Sequence, residues 1–100
     1  MKKKILIVDH DSAFATILKE TLESLGEYEA RIAATGEEAL SRAVEEQLQL
    51  VIVDMGLRDV EPGGLIQALR ELKPHLKVLA IPLGDSPIPD ELRVDGIIPK

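Results

Sequence analysis

The stretch ILIVDHDSAF, residues 5–14, begins with four apolar residues and continues with an acidic turn. A continuous apolar run rich in β-branched residues is typical of a parallel strand that is covered on both faces. Directly after this run, Asp9 and Asp11 flank His10, so that two carboxylates and an imidazole lie at the carboxyl end of the predicted strand. Because these groups are common metal ligands and acid–base groups, the turn is the first candidate for a functional site.

Strands and helices alternate along the rest of the chain. We predict strands at residues 4–8, 28–33, 50–53, 77–81 and 96–99. Ser12 is predicted to cap the first helix and Thr35 the second, while the third helix is predicted over residues 65–73. Each helix therefore follows a strand after a short polar connection.

The predicted helices are amphipathic, with apolar residues at helical spacing. The stripe of the first helix includes Ile17 and Leu25, and that of the second includes Val44 and Leu48. Residues 82–95 contain three prolines and only the short helical phrase DELRV. A full helix is therefore not expected between the fourth and fifth strands.

Alternating strands and helices predict a parallel sheet with right-handed crossovers, that is, an α/β domain. Ligands of such sheets bind at the carboxyl ends of the strands, where the strand order reverses. In the flavodoxin-like order 2-1-3-4-5, the strands that precede Asp9 and Asp54 are neighbours. We therefore predict a doubly wound, five-stranded parallel sheet with both aspartates in one pocket. Residues 1–100 form one domain, and we expect the last helix of this fold to be missing or to lie outside the chain.

The composition restricts the kind of protein. The chain has 100 residues, enough for one small core, and 45% of them are hydrophobic although only 2% are aromatic. With 12 basic and 18 acidic residues, the net charge is −6, which disfavours direct binding to nucleic acid or to an anionic membrane. There is no cysteine, and the apolar run after MKKK is too short for a signal peptide or a membrane span. We expect a cytoplasmic protein.

Four stretches in order resemble the receiver domain of bacterial two-component response regulators, the chemotaxis-protein fold. They are ILIVDHDSAF (5–14), AATGEEAL (33–40), VIVDMGLRDVEPGG (51–64) and DGIIPK (95–100). The resemblance implies a phosphorelay in which a sensor histidine kinase passes a phosphoryl group to an aspartate in the presence of Mg²⁺. It also implies an output domain or partner protein that reads the signal, and it leaves a homodimer open.

The resemblance assigns a role to individual residues. It implies that Asp54 is the phosphoacceptor and acts as a carboxylate nucleophile. It implies that Asp9, Asp54 and the backbone carbonyl of Gly56 hold the metal, and that Lys100 contacts the phosphoryl group. No residue is assigned to enzymatic turnover, so the chain is not expected to be an enzyme.

Several positions depart from the family pattern. His10 stands where the second acidic residue is expected, and imidazole is a poor ligand for magnesium, so magnesium binding should be weak. Either His10 or Asp11 could supply the missing ligand. An imidazole beside two carboxylates also favours a different metal, such as manganese or zinc. Pro82 stands in place of a Ser or Thr that contacts the phosphoryl group. Ile97 replaces an aromatic residue, and Arg58 replaces a proline.

Two alternatives stay open. One is a degenerate pseudo-receiver, which no longer uses phosphate and serves as a protein-interaction or dimerisation module. The other is a phosphatase of the haloacid-dehalogenase type, because IVDHDS also resembles the Asp-x-Asp motif of that family, with Asp9 as nucleophile and Asp11 as acid–base. Those enzymes need a longer chain and later motifs in a different arrangement, so the receiver is the favoured hypothesis.

Overall fold

Five parallel strands packed against helices make up the computed structural model, which describes residues 2–99. The elements are β1 (Lys3–Val8), α1 (Ser12–Ser24), β2 (Tyr28–Ala33), α2 (Gly36–Glu45), β3 (Leu50–Asp54), α3 (Pro62–Leu72), β4 (Lys77–Ile81), a 3₁₀ helix (Asp90–Leu92) and β5 (Gly96–Ile97). The strand order is β2-β1-β3-β4-β5, which confirms the predicted flavodoxin-like topology. Within residues 2–99, no α-helix follows β5, and none of the helices is long and apolar enough to cross a membrane.

The central strands bury both of their faces. In β1, residues 5–8 are all buried, and successive side chains point to opposite sides of the sheet. Leu6 and Val8 join the core beneath α2 and α3, whereas Ile5 and Ile7 join the core beneath α1. The uninterrupted apolar run is thus explained by helices on both sides of the sheet.

The register of the central strands positions the ends of β1 and β3. Val8 lies opposite Val53, so these two strands finish at the same level. On the other side of β3, Ile81 of β4 lies opposite Asp54. Asp9 directly follows β1, and both aspartates therefore reach the carboxyl edge of the sheet where the strand order reverses.

Two helices begin at other residues than predicted. The prediction that Ser12 caps α1 is wrong: Asp11 has the extended backbone of an N-cap, and its carboxylate accepts a hydrogen bond from the Phe14 N–H at 3.1 Å. Aspartate and serine cap helices about equally well, so two such residues in succession leave the choice open in the sequence. The third helix begins at Pro62 instead of residue 65, with Glu61 as its cap, because proline suits the first turn of a helix.

Three predicted core residues are exposed. Ile17 is 65% exposed, Leu25 63% and Val44 67%. The helices contact the sheet through small residues, among them Ala15 of α1 and Ala43 of α2, which are fully buried. Successive helical residues are turned by about 100°, so Ile17 and Val44, two and one positions from these alanines, point away from the sheet. Leu25 follows the last residue of α1 as its C-cap.

The edge strand β2 is covered by two charged residues of α1. Lys19 Nζ donates to Glu23 Oε2 at 2.8 Å and to the Ala30 carbonyl at 3.1 Å, and the Ala30 N–H donates to Glu23 Oε2 at 3.2 Å. Both backbone groups of Ala30 are thereby bonded to side chains, which protects this edge from pairing with another strand. The hydrogen bond from Lys19, followed by that from Ala30, lowers the pKa of Glu23 below its ordinary value.

The lowered pKa of Glu23 predicts an acid-dependent part of the stability. Because the folded pKa lies below the unfolded one, this contribution is present at neutral pH and is lost as the pH falls through the folded pKa. We expect Glu23→Gln to unfold more easily at pH 7 and to lose less stability than the wild type between pH 5 and pH 3. Urea unfolding over this pH range measures the difference, with Glu20→Gln on the exposed side of α1 as control. An equal effect of both substitutions would contradict the prediction.

Candidate functional site

Asp9 and Asp54, at the carboxyl edge of the sheet, are the buried charged residues in the part of the chain that the structure describes. Asp9 is 1% exposed and Asp54 is 3% exposed. Asp9 Oδ1 accepts from the Asp11 N–H, and Asp54 Oδ1 accepts from the Gly56 N–H, each at 2.9 Å. In both turns, an aspartate accepts from the amide two residues further on, a common local bond of Asp at chain reversals. Backbone amides therefore hold one oxygen of each carboxylate in a defined position.

His10 lies against both carboxylates. Its Nδ1 is 3.3 Å from Asp54 Oδ2 and 3.8 Å from Asp9 Oδ1, while its side chain is 52% exposed. Among residues 2–99, these three side chains form a group whose potential ligand atoms all lie within 4.8 Å of one another. The structure thus brings together Asp9, Asp54 and His10 from the two strand ends that the sequence predicts to meet.

The remaining predicted site residues lie in different places. The carboxylate of Asp11 is the cap of α1, and Asp11 is not a member of the group of three. Gly56 lies directly beside Asp54, where an added Cβ would come within 3.3 Å of Asp54 Oδ1 and 3.2 Å of Leu83 Cδ1. The absence of a side chain at Gly56 therefore avoids tight contacts with the Asp54 carboxylate and with Leu83. Lys100 lies outside the described residues.

A pocket of about 630 Å³ opens over the acidic group. Its walls are the loop after β3, the loop after β4 and the ends of β1 and β3, with lining residues His10, Asp54, Met55, Gly56, Leu57, Arg58, Pro82, Leu83 and Gly84. The space suffices for a small anion such as a phosphoryl group above the carboxylates. Pro82, which has neither a hydroxyl nor an N–H, lines this pocket and has no hydrogen-bond donor to offer such an anion.

The donor set suits a divalent cation. Two buried carboxylates repel each other, and a cation between them relieves both the repulsion and the cost of burying their charge. The carboxylate oxygens of Asp9 and Asp54 are hard ligands of the kind that Mg²⁺ prefers, whereas His10 offers a nitrogen. The residues therefore fit a divalent metal. A site of three carboxylates would offer it one more oxygen ligand than this group does.

Comparison with known proteins assigns the family. The family model of the response regulator receiver domain matches residues 5–93. The chain belongs to the response regulator receiver domain family. Such domains act in two-component signalling, accept a phosphoryl group on an aspartate, and typically bind Mg²⁺ through an acidic pocket.

Individual relatives agree with this assignment. The receiver is 34% identical over 85 residues to the alkaline phosphatase synthesis transcriptional regulatory protein PhoP of Bacillus subtilis. That alignment covers 85% of this chain and 35% of PhoP, so the chain spans about a third of the length of this relative.

Solved structures resemble the receiver over nearly all of its length. The CheY-like receiver domain protein from Methanospirillum hungatei JF-1 has a TM-score of 0.90 at 32% identity, covering 100% of this chain and 82% of that chain. A response regulator from Burkholderia pseudomallei, with a phosphorylated aspartic acid, calcium ion and citrate, has a TM-score of 0.87 at 29% identity. That match covers 99% of this chain and 60% of the other.

A residue of the receiver that the sequence did not single out anchors the loop after β3. The Asp59 carboxylate accepts from the Gly36 N–H at 3.0 and 3.1 Å and from the Glu37 N–H at 3.3 Å. These amides belong to the first turn of α2, where backbone N–H groups have no partner within the helix. Asp59 thus binds the loop to α2, and no spacing rule connects residues so far apart in the sequence.

Packing reinforces the same contact. A Cβ on Gly36 would lie only 2.2 Å from Val60 Cγ2, so Val60 occupies the space that a larger residue at position 36 would need. Thr35 completes the start of the helix, because its side chain accepts from the Glu38 N–H at 3.1 Å. The predicted cap Thr35 is confirmed, and Asp59 adds a second cap from the functional loop.

We expect Asp59→Ala to destabilise the receiver by about 1 kcal/mol, the usual cost of losing a helix cap. Asp59→Asn keeps an oxygen acceptor and should lose less. Denaturant unfolding measures both values, and Asp85→Ala, in the exposed loop after β4, serves as control for the loss of a carboxylate. The role of Asp59 as a cap is wrong if Asp59→Ala and Asp85→Ala have the same stability.

Proposed function

We propose that the chain is a receiver that takes a phosphoryl group on Asp54 from a sensor histidine kinase. The observation that carries this proposal is the position of the Asp54 carboxylate, which is almost wholly buried at the end of β3, under an open pocket and beside Asp9. The hydrogen bond from the Gly56 N–H holds Oδ1, while Oδ2 lies at the side of His10. The phosphorylated aspartic acid of the Burkholderia pseudomallei response regulator supports the same chemistry here.

The proposed transfer is a substitution at phosphorus. An oxygen of the ionised Asp54 carboxylate forms the new P–O bond, and the P–N bond to the kinase histidine breaks, its electron pair remaining on the imidazole. Asp54 enters this step as a carboxylate, so no proton has to leave it. The Gly56 N–H fixes the orientation of the carboxylate before the reaction, which reduces the entropy lost in positioning.

We propose that the pocket holds a divalent cation during the transfer. Asp9, Asp54 and the backbone carbonyl of Gly56 would be its ligands, with His10 or Asp11 as further candidates. The cation would neutralise charge on the phosphoryl oxygens. Mg²⁺ is the proposed physiological ion, bound weakly because His10 replaces a carboxylate. Lys100 is proposed to contact the phosphoryl group.

The proposed partners follow from the length and charge of the chain. Because it spans about a third of the length of PhoP, a regulatory protein, we propose an output domain or a separate partner protein that reads the state of the receiver. The net charge of −6 favours protein partners over direct contact with nucleic acid. We propose that the protein works in the cytoplasm and is not itself an enzyme.

A phosphorylation-independent module is the second candidate. The placement of Pro82 in the pocket wall favours it, because proline cannot donate a hydrogen bond to a phosphoryl oxygen. Ile97, where the family carries an aromatic residue, is 56% exposed and could serve a protein or dimer contact. By contrast, the phosphatase alternative is disfavoured, because the carboxylate that would act as acid–base, Asp11, is engaged as the cap of α1.

Incubation with acetyl phosphate and Mg²⁺, followed by intact-mass measurement, tests the proposal. We expect the wild type and the control Asp85→Asn to gain one phosphoryl group, and Asp54→Asn to gain none because it lacks the nucleophilic oxygen. Labelling should be slow, since the metal site has one carboxylate fewer. If Asp54→Asn still gains a phosphoryl group, another residue is the acceptor. No gain in the wild type at saturating Mg²⁺ would instead favour the phosphorylation-independent module.

A further inference from the structure

We infer that the group of Asp9, His10 and Asp54 is a mixed nitrogen and oxygen site that binds Zn²⁺ in preference to Mg²⁺, with His10 Nδ1 as a direct ligand. The inference rests on the proposed use of this pocket for a divalent cation and names the ion that the pocket binds more tightly. It concerns binding alone, so it is measured without any phosphoryl donor.

The distances between the donor atoms fit a small transition-metal ion. Ligand atoms bonded to one Zn²⁺ at about 2.0–2.1 Å, with right or tetrahedral angles between them, lie about 2.8–3.4 Å apart. His10 Nδ1 and Asp54 Oδ2 are 3.3 Å apart, within that interval. Nδ1 and Asp9 Oδ1 are 3.8 Å apart, so a rotation of the ring has to bring Nδ1 closer to Asp9 when both bind one ion.

The surroundings of the three side chains leave that rotation free. Both carboxylates are buried and one oxygen of each is held by a backbone amide, so they form the rigid part of the site. The His10 side chain is half-exposed at the wall of the pocket and can turn without disturbing the core. The pocket above supplies room for water ligands to complete the coordination.

The chemistry of the donor atoms determines which ion the pocket binds more tightly. Imidazole is a good ligand for Zn²⁺ and a poor one for Mg²⁺, which binds oxygen and keeps much of its water. Exchanging a carboxylate for an imidazole at position 10 therefore removes an anionic ligand from Mg²⁺ and provides Zn²⁺ with the nitrogen that it favours. Zn²⁺ generally binds protein sites more tightly than Mg²⁺. The inference therefore requires that the ratio of the two affinities depends on His10.

Titration calorimetry of the receiver with Zn²⁺ and, separately, with Mg²⁺ tests the inference. Loss of a residue that only supports a ligand commonly costs 10- to 100-fold in metal affinity, so loss of a direct ligand should cost at least about tenfold. We therefore expect His10→Gln to weaken Zn²⁺ binding at least about tenfold. His10→Asp should strengthen Mg²⁺ binding by a similar factor and reduce the preference for Zn²⁺. Zn²⁺ should also shift the imidazole NMR signals of His10.

The second histidine of the chain provides the matched control. His75 is exposed in the connection between α3 and β4, so His75→Gln should leave the Zn²⁺ affinity at the wild-type value. Equal Zn²⁺ affinities in His10→Gln and His75→Gln, or Zn²⁺ that shifts only the His75 signals, would overturn the inference. Phosphorylation of Asp54 in Mg²⁺ would survive such a result, whereas His10-dependent Zn²⁺ binding without any phosphorylation would reject the proposed function and leave the metal site standing.

Discussion

The parallel pairing of β1 with β3 is the constraint on which the site depends. Their register sets Val8 opposite Val53, so two strands from distant parts of the sequence end at one level. Residues 5–8 of β1 and 51–53 of β3 are buried and apolar, and the buried carboxylates of Asp9 and Asp54 follow them directly. The fold thereby places two carboxylates close together with little water around them. The topology therefore makes the two carboxylates repel each other when both are ionised. Without a cation between them, this repulsion lowers the stability of the folded protein.

The loop after β3 connects this charged pocket to the rest of the molecule. One end of the loop carries the Gly56 N–H that holds Asp54, and the other carries Asp59, which caps α2. Val60 fills the space beside Gly36 at the same helix end, so the loop is fixed both by hydrogen bonds and by packing. A displacement of the loop that reaches Asp59 has to shift α2 or break this cap. The contact gives the receiver a physical link between its pocket and its surface.

The fold could be predicted further than the details of the site. The strands at 28–33 and 77–81 have the predicted bounds, because alternating apolar residues in the first and a continuous apolar run in the second are patterns that local sequence reveals. The helix starts were less certain, since Asp11 and Ser12 are both good caps and only the backbone conformation decides between them. The role of Asp59 could not be predicted at all, because it depends on how two loops meet in the folded chain. Which apolar helix residues are buried likewise depends on the angle at which each helix packs.

The sequence could show that His10 departs from the family pattern. What His10 does to the pocket depends on its distance from the two carboxylates and on the total charge there. With a carboxylate at position 10, a pocket holding one divalent cation would carry three negative charges against two positive ones. An imidazole that binds a metal is neutral, so with His10 as a ligand the two buried carboxylates would balance the cation and the net charge of the loaded pocket would be zero. An incoming phosphoryl group is strongly negative, so this pocket repels it less than a pocket of three carboxylates would. In the proposed transfer, His10 would thus weaken the attraction for Mg²⁺ while it eases the approach of the phosphoryl group, and these two effects would oppose each other.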